Sequence, residues 1–295
     1  MTRSEGGRQL PEGISIGHWT DAVGRTGCTV ILAPDGAVGG VDVRGAAPAT
    51  LGTDGLRPGT LIDRAHGVLL TGGSAFGLEA AAGIMRYLEE HGVGFALGSA
   101  TVPIVAGAVI FDLLAGDAMA RPNGESGYAA CTAATREPEI GAVGAGTGAT
   151  VAKAGDGGEE RPGGVGIAST VADGAIVAAV MVVNSVGGIW DDERHGWIAP
   201  LTQWDHASSL MPGANTTIGI VLTDAVLAKE QSNRVATVAH DGIARAIRPA
   251  HTMYDGDTMF CLATGKVAAA YDAVEVAAAE VVARAIAVGV AAAQP

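Results

Sequence analysis

The chain has 295 residues, 48% of them hydrophobic and only 4% aromatic, so it can bury a sizeable core but must fill much of it with Ala, Val and Gly. A net charge of −13 excludes the basic footprint of a nucleic-acid binder and is compatible with cationic substrates such as free amines. Cys28, Cys131 and Cys261 are few and far apart, which excludes a disulfide framework and a C-x-x-C metal site; they read as small buried residues in a reducing cytoplasm.

The opening "MTRSEGGRQLPEG" has no apolar core, so residues 1–12 are expected to form a loose arm and not a signal peptide. "CTVILAP" (28–34), "AVGGVDVRG" (37–45) and "GVLLTGG" (67–73) read as strands punctuated by Gly, Pro and Asp. A helix is predicted over 74–94, with Ser74 as N-cap, Leu78, Ala81, Ala82, Met85 and Leu88 on one face, and Gly92 as the stop. Residues 102–113 form a buried apolar segment, and 126–135 a short helix. The glycine-dense zone 139–170 holds strands joined by a mobile acidic loop, "GDGGEERPGG". Residues 174–189 read as a long strand, and its apolar part is too short to cross a bilayer. Residues 190–215, with Trp190, Trp197 and Trp204 among mixed charges, read as a surface linker. A strand follows from Thr216 to Thr223, then a helix capped by Asp224 and running to Ile247, with Pro249 as the stop. A loop into a strand (255–265) and an Ala-rich helix (272–290) close the chain. Mixed strands and helices favour layered α/β or α+β packing, with sheets inside and helices outside. The 45 glycines, set beside small apolar runs, predict closely packed layers and tight turns.

"GANTTIGI" (213–220) places a polar Asn-Thr-Thr step at the lip of an apolar strand. A turn and a strand start explain it. So does a peptide bond built to break. A Thr freed as the first residue of a strand has a nucleophilic hydroxyl and, in its own α-amino group, a base with a reference pKa of about 7.7–8.0. Cleavage between Asn215 and Thr216 would give fragments 1–215 and 216–295.

The blocks "LLTGGSAFGLEAAAGIMRYL" (69–88), "VPIVAGAVIFDL" (102–113), "GTGATVAKAG" (146–155), "VVNSVGG" (182–188), "GANTTIGIVLTDA" (213–225) and "AHDGIARAIRPAHTMYDGDTMFCLATG" (239–265) together resemble the P1 (S58) peptidase family, in order, from about residue 13 to 290. That family includes L-aminopeptidase/D-esterases, β-peptidyl aminopeptidases and nylon-oligomer hydrolases. The resemblance implies an αββα sandwich of the DmpA/ornithine acetyltransferase-like type, carried by residues 1–295 as one N-terminal-nucleophile hydrolase domain. It also implies self-cleavage into two chains that stay together, usually as a tetramer of αβ heterodimers, and a small peptide or amide as substrate. It implies Thr216 as nucleophile, Asn184 in the oxyanion hole, Lys153 near the nucleophile, and Asp255 and Asp257 holding the free amine and the hydroxyl. A Thr nucleophile after Asn, with an Asp pair where the Ser branch typically has Ser and Glu, leans to the nylon-hydrolase branch. Several members carry a tyrosine where this chain has Phe111, so any phenol role there is absent or moved.

Each residue also has an ordinary reading. Asn184 alone is a turn former, Lys153 a solvated charge, and the Asp255/Asp257 pair a hydrated loop with no D-x-D-x-D-G calcium pattern. No H-E-x-x-H or Walker lysine is present, so no metal or cofactor is expected. His240 and His251 read as structural, holding helix and loop together. The turn at Gly73, Ser74 and Phe76 is expected to line the substrate cleft, with Phe76 or Leu78 in its wall. No nucleic-acid or membrane partner is expected. Acyl transfer of the ornithine acetyltransferase type, and an uncleaved scaffold, are the alternatives to hydrolysis.

Overall fold

Side chains alternate across a strand, so the burial pattern of each strand states what covers its two faces. The structure is a computed structural model and describes residues 7–153, 161–201 and 213–295. Its main strands are β1 (Ser15–Asp21), β2 (Thr26–Val43), β3 (Arg64–Thr71), β4 (Val105–Val109), β5 (Gly164–Ala172), β6 (Ala175–Asn184), β7 (Thr216–Ala225) and β8 (Thr258–Val267). The main helices are α1 (Ala80–Glu90), α2 (Gly124–Thr132), α3 (Lys229–Ala246) and α4 (Tyr271–Ala293).

Hydrogen bonding links the strands in the order β5-β6-β7-β8-β2-β3-β4, with β1 also on β2. The pairs are antiparallel except β7 with β8 and β3 with β4. The chain bulges between Leu32 and Ala37; β2 pairs with β1 and β3 before the bulge, and after it with β3 again at Ala37 and Val38 and with β8 from Val38 to Val43. One strand thus serves both layers. Ile31, Val68, Leu70, Ala106 and Ala108 of one layer meet Val180, Val182, Ile218, Ile220, Phe260 and Leu262 of the other in a shared inner core. The opposite faces are covered by helices. Cys28, Val30 and Leu69 pack under α1 and α2 through Ala81, Ile84, Leu88 and Cys131. Val177, Met181, Val221, Met259 and Cys261 pack under α3 and α4 through Val235, Ile243, Val281 and Ile286. This is the expected αββα sandwich.

Several elements depart from the sequence reading. "APDG" reads as a turn between two strands, but the chain only bulges there, with Gly36 at φ +70°. The strand Ser15–Asp21 went unread, and the stretch read as a linker contains a hairpin, Gly188–Asp191 with Gly196–Ala199, where Trp190 meets Trp197 edge to face at 5.3 Å. Trp204 and most of the acidic loop lie outside the described residues. Ser74 caps nothing. Residues Ser74–Glu79 form a 3-10 turn and the α-helix begins at Ala80. Three residues per turn shift the phase, so Ala81, Ile84 and Leu88 are buried while Ala82 and Met85 are exposed. Asp224 is no cap either: it lies buried in β7 and accepts the Ile176 amide at 2.7 Å, while Gln231 accepts the Ala228 amide (2.8 Å) where α3 begins. The expectation that no apolar stretch reaches membrane-spanning length fails for Tyr271–Ala293, which is long and apolar enough by length and composition, although most of its strongest window is buried against the protein.

The glycines set the spacing of the layers. A Cβ on Gly166 of β5 would fall on the Ala285 carbonyl of α4, and one on Gly289 would lie 2.6 Å from the Gly166 amide. Strand and helix therefore touch backbone to backbone. Gly166→Ala is expected to cost about 3 kcal/mol, the upper end for overpacking a filled core, read as a lower urea midpoint at unchanged slope.

Candidate active site

Register places the site. β6 ends at Asn184 and β7 begins at Thr216, and the two residues are direct partners across the antiparallel pair. Both are buried, as is Asn215. Asn215 forms a parallel bridge with Asp255, and the Gly256 amide donates to the Asn215 carbonyl at 2.9 Å. The Thr216 hydroxyl donates to the same carbonyl oxygen at 2.5 Å. The carbonyl of the Asn215–Thr216 bond thus takes two donors, one of them the hydroxyl next to it. Gly256 must be glycine here, because a Cβ would lie 2.8 Å from Thr216 Oγ1 and 2.5 Å from the Ala47 carbonyl. The buried Oδ1 of Asn215 has no hydrogen-bond partner among the described residues, and backbone contacts hold this turn.

On one side of this bond, Asn184 Oδ1 accepts from the Thr150 amide (3.0 Å) and Lys153 Nζ (2.7 Å). Its Nδ2 donates to the carbonyls of Phe111 (3.2 Å) and Ala214 (3.4 Å). Lys153 Nζ also donates to the Ala214 carbonyl, at 3.3 Å. Asn184 and Lys153 therefore converge on the residue before Asn215. Phe111 takes part through its backbone, not its ring.

On the other side lie the carboxylates. Asp257 Oδ1 accepts the Thr217 amide at 2.7 Å, and Oδ2 faces His251 Nδ1 at 2.6 Å. Asp255 Oδ2 accepts the amide and hydroxyl of Thr252 at 2.9 and 2.6 Å. Burial, then the charge of Asp257, raise the Asp255 carboxyl above its ordinary range, and the Thr252 donors offset this only in part. Burial opposes a charge on His251, but the bond to Asp257 and the charge of its carboxylate together outweigh it, and the imidazole is raised. Its ring lies 4.9 Å from that of His240, which burial pushes down to about 4 and whose Nε2 lies 3.1 Å from the Asp42 carbonyl.

The glycine turn reaches the centre through Asp112. Gly73 N donates to Asp112 Oδ1 (2.6 Å), Thr26 Oγ1 donates to Oδ2 (2.7 Å), and Ser74 N donates to the Ile110 carbonyl (3.0 Å). Burial raises Asp112, while its donors and the charge of Lys153 pull it back down. Phe76 is exposed, with the Arg121 guanidinium 3.7 Å above its ring, and Leu78 is half-buried. Thus Thr216, Asn184, Lys153, Asp255 and Asp257 come together at the start of β7; Gly73 is held by Asp112, which senses the charge of Lys153, Ser74 is held by the Ile110 carbonyl, and Phe76 stands outside. Sequence reasoning passed over Asp112, the Gly256 amide and the contact of His251 with Asp257. The first showed only as a lone acid ending an apolar run. Among the described residues no group of three or more His, Cys, Asp or Glu is placed to hold a metal.

Peptidase family S58 matches residues 12–295. The chain belongs to peptidase family S58. An uncharacterized aminopeptidase of Mycobacterium leprae is 44% identical over 289 residues, which span 87% of this S58 chain and 78% of that protein. A 6-aminohexanoate-oligomer endohydrolase of Kocuria sp. is 33% identical over 274 residues, 86% and 74% of the two chains. In fold, the S58 chain is similar to the L-aminopeptidase D-Ala-esterase/amidase of Ochrobactrum anthropi, described as a variant of the Ntn-hydrolase fold, with a TM-score of 0.76 at 19% identity over 97% of this chain and 86% of that one. This S58 chain is a hydrolase acting on amide bonds.

The buried His240 predicts a pH signature. Its folded value lies below the unfolded 6.5, so the folded state binds fewer protons there, and the stability it contributes is present above pH 6.5 and lost as pH falls toward 4. Unfolding free energy is expected to drop by up to about 3 kcal/mol more over that window in the wild type than in His240→Gln, measured by urea denaturation at stepped pH.

Proposed function

We propose that this S58 chain cuts itself between Asn215 and Thr216 and then hydrolyses amides with Thr216 as nucleophile. The observation that carries this reading is the Thr216 hydroxyl resting on the carbonyl of its own peptide bond, with the Gly256 amide on the same oxygen. Attack by Oγ1 on the Asn215 carbonyl carbon forms an ester and breaks the C–N bond, releasing the Thr216 amine. Water then opens the ester, and Asn215 leaves as a carboxylate. The Gly256 amide is placed to stabilise the oxygen as charge develops on it.

The freed amine then serves as the base. It takes the hydroxyl proton as Oγ1 attacks a substrate carbonyl and returns it to the departing amine, which leaves an acyl-enzyme for water to hydrolyse. Asn184 Nδ2 and Lys153 Nζ, which hold the Ala214 carbonyl in the uncut chain, would face the acyl group of the incoming substrate. The chain's own residues 213–215 are the first occupant of that position.

The aminopeptidase and the oligomer endohydrolase among the relatives define the two substrate classes to compare. Intact mass spectrometry of wild-type protein is expected to find two fragments, 1–215 and 216–295. Thr216→Ala should remain one 29.3 kDa chain without activity; two fragments from that variant would refute the mechanism. Asn184→Ala, if cut, should lose roughly 10²–10³ in kcat, as when one oxyanion donor is removed. Assays with amino-acid p-nitroanilides against 6-aminohexanoate oligomers, run on the same preparation, should show a clear preference for one class.

A further inference from the structure

The chemistry above uses neither histidine. His251 lies between α3 and β8, in the left-handed region at φ +55°. Its Nδ1 meets one oxygen of buried Asp257, whose other oxygen holds the amide of Thr217, the residue after the nucleophile. Behind it the His240 ring of α3 packs at 4.9 Å and reaches the Asp42 carbonyl of β2. A line of contacts therefore runs from β2 through both imidazoles and one carboxylate to the start of β7.

We propose that His251 is a positioning residue for Thr216, acting through Asp257. The proposal rests on Thr216 being the nucleophile. A carboxylate held at one oxygen can rotate about its Cβ–Cγ bond; donors on both oxygens fix its plane. The Thr217 amide is one peptide unit from the Thr216 Cα, so fixing that plane fixes the hydroxyl and the new amine. Displacement of a reacting group by about 1 Å can cost on the order of 10²-fold in rate.

The link also carries charge. His251 is faced by Asp257 from its own loop, by His240 from α3 and by Arg44 just after β2, and His240 in turn by Asp42 of β2 and Arg44. Asp257 favours the imidazolium, while Arg44 and burial oppose it. An imidazolium beside Asp257 offsets that carboxylate and leaves the nearby Thr216 amine less basic. When the ring loses its proton, the uncompensated carboxylate makes the amine more basic. The rate should therefore sense the titration of His251.

The test compares full-length wild type, His251→Asn and His251→Ala on whichever of the two amide classes the wild type hydrolyses. Asn offers a donor where Nδ1 stands, tolerates positive φ, and does not titrate. His251→Ala is expected to lose roughly 10–100-fold in kcat with KM little changed, and His251→Asn to recover most of the loss. The base amine titrates in every active variant; besides that shared inflection, the kcat–pH profile of the wild type should show a second one, from His251 and above the ordinary imidazole value, that His251→Asn lacks. The proposal is overturned if a cut, active wild type is matched by His251→Ala in kcat and pH profile. It is equally overturned if His251→Asn melts like the wild type but does not recover the rate, or keeps the second inflection. Should His251→Ala fail to fold, the pH profile of His251→Asn decides alone. A wild type that stays uncut and hydrolyses neither amide refutes the role of Thr216, and this proposal falls with it.

Discussion

The pairing of Asn184 with Thr216 is the constraint on which the rest of the site depends. It sets the ends of two neighbouring strands level, and the strands hold that level because the middles of their inner faces are apolar. Val180 and Val182 on β6, and Ile218, Ile220 and Leu222 on β7, point into the core between the sheets. A slip of one residue would turn each of these outward and Thr217 or Asn215 into the place of Thr216. The register of the candidate site and the hydrophobic register are thus the same quantity, protected by the same buried area.

Around that point the polar groups are divided by sign. Lys153 lies with Asn184 on the side of Ala214, where the chain approaches the bond. Asp255 and Asp257 lie on the side of Gly256 and Thr217. Buried charge is tolerated only with partners, and each of these groups has them in the backbone or in nearby hydroxyls and imidazoles. Asp255 is raised first by burial and then by the charge of Asp257 one glycine away.

Much of this could be read from the sequence, for reasons that differ by residue. Thr216 stood out because a polar step precedes an unbroken apolar run, and the six family blocks then gave it neighbours. Layered packing followed from the mixture of apolar strands and helices, and the αββα sandwich only from the resemblance carried by the six family blocks. What escaped reading was geometry carried by single residues. Asp112 has no motif around it, and only the fold brings it beneath Gly73. His251 and Asp257 lie six residues apart in a loop, where no periodicity pairs them. The phase of the first helix was misread because a 3-10 turn precedes it, and the bulge in β2 because Pro34, Asp35 and Gly36 carry the composition of a turn.

The strand order has one more implication. β7 and β8 follow residue 216 in the chain, yet in the sheet they lie between β6 and β2, which precede it. Both also contribute to the inner core and to the helix-covered outer face. A scission at residue 215 would therefore change how the polypeptide is threaded without opening a seam in the sandwich. The shorter piece is dovetailed into the longer one, and pulling them apart would mean breaking ladders on both its flanks.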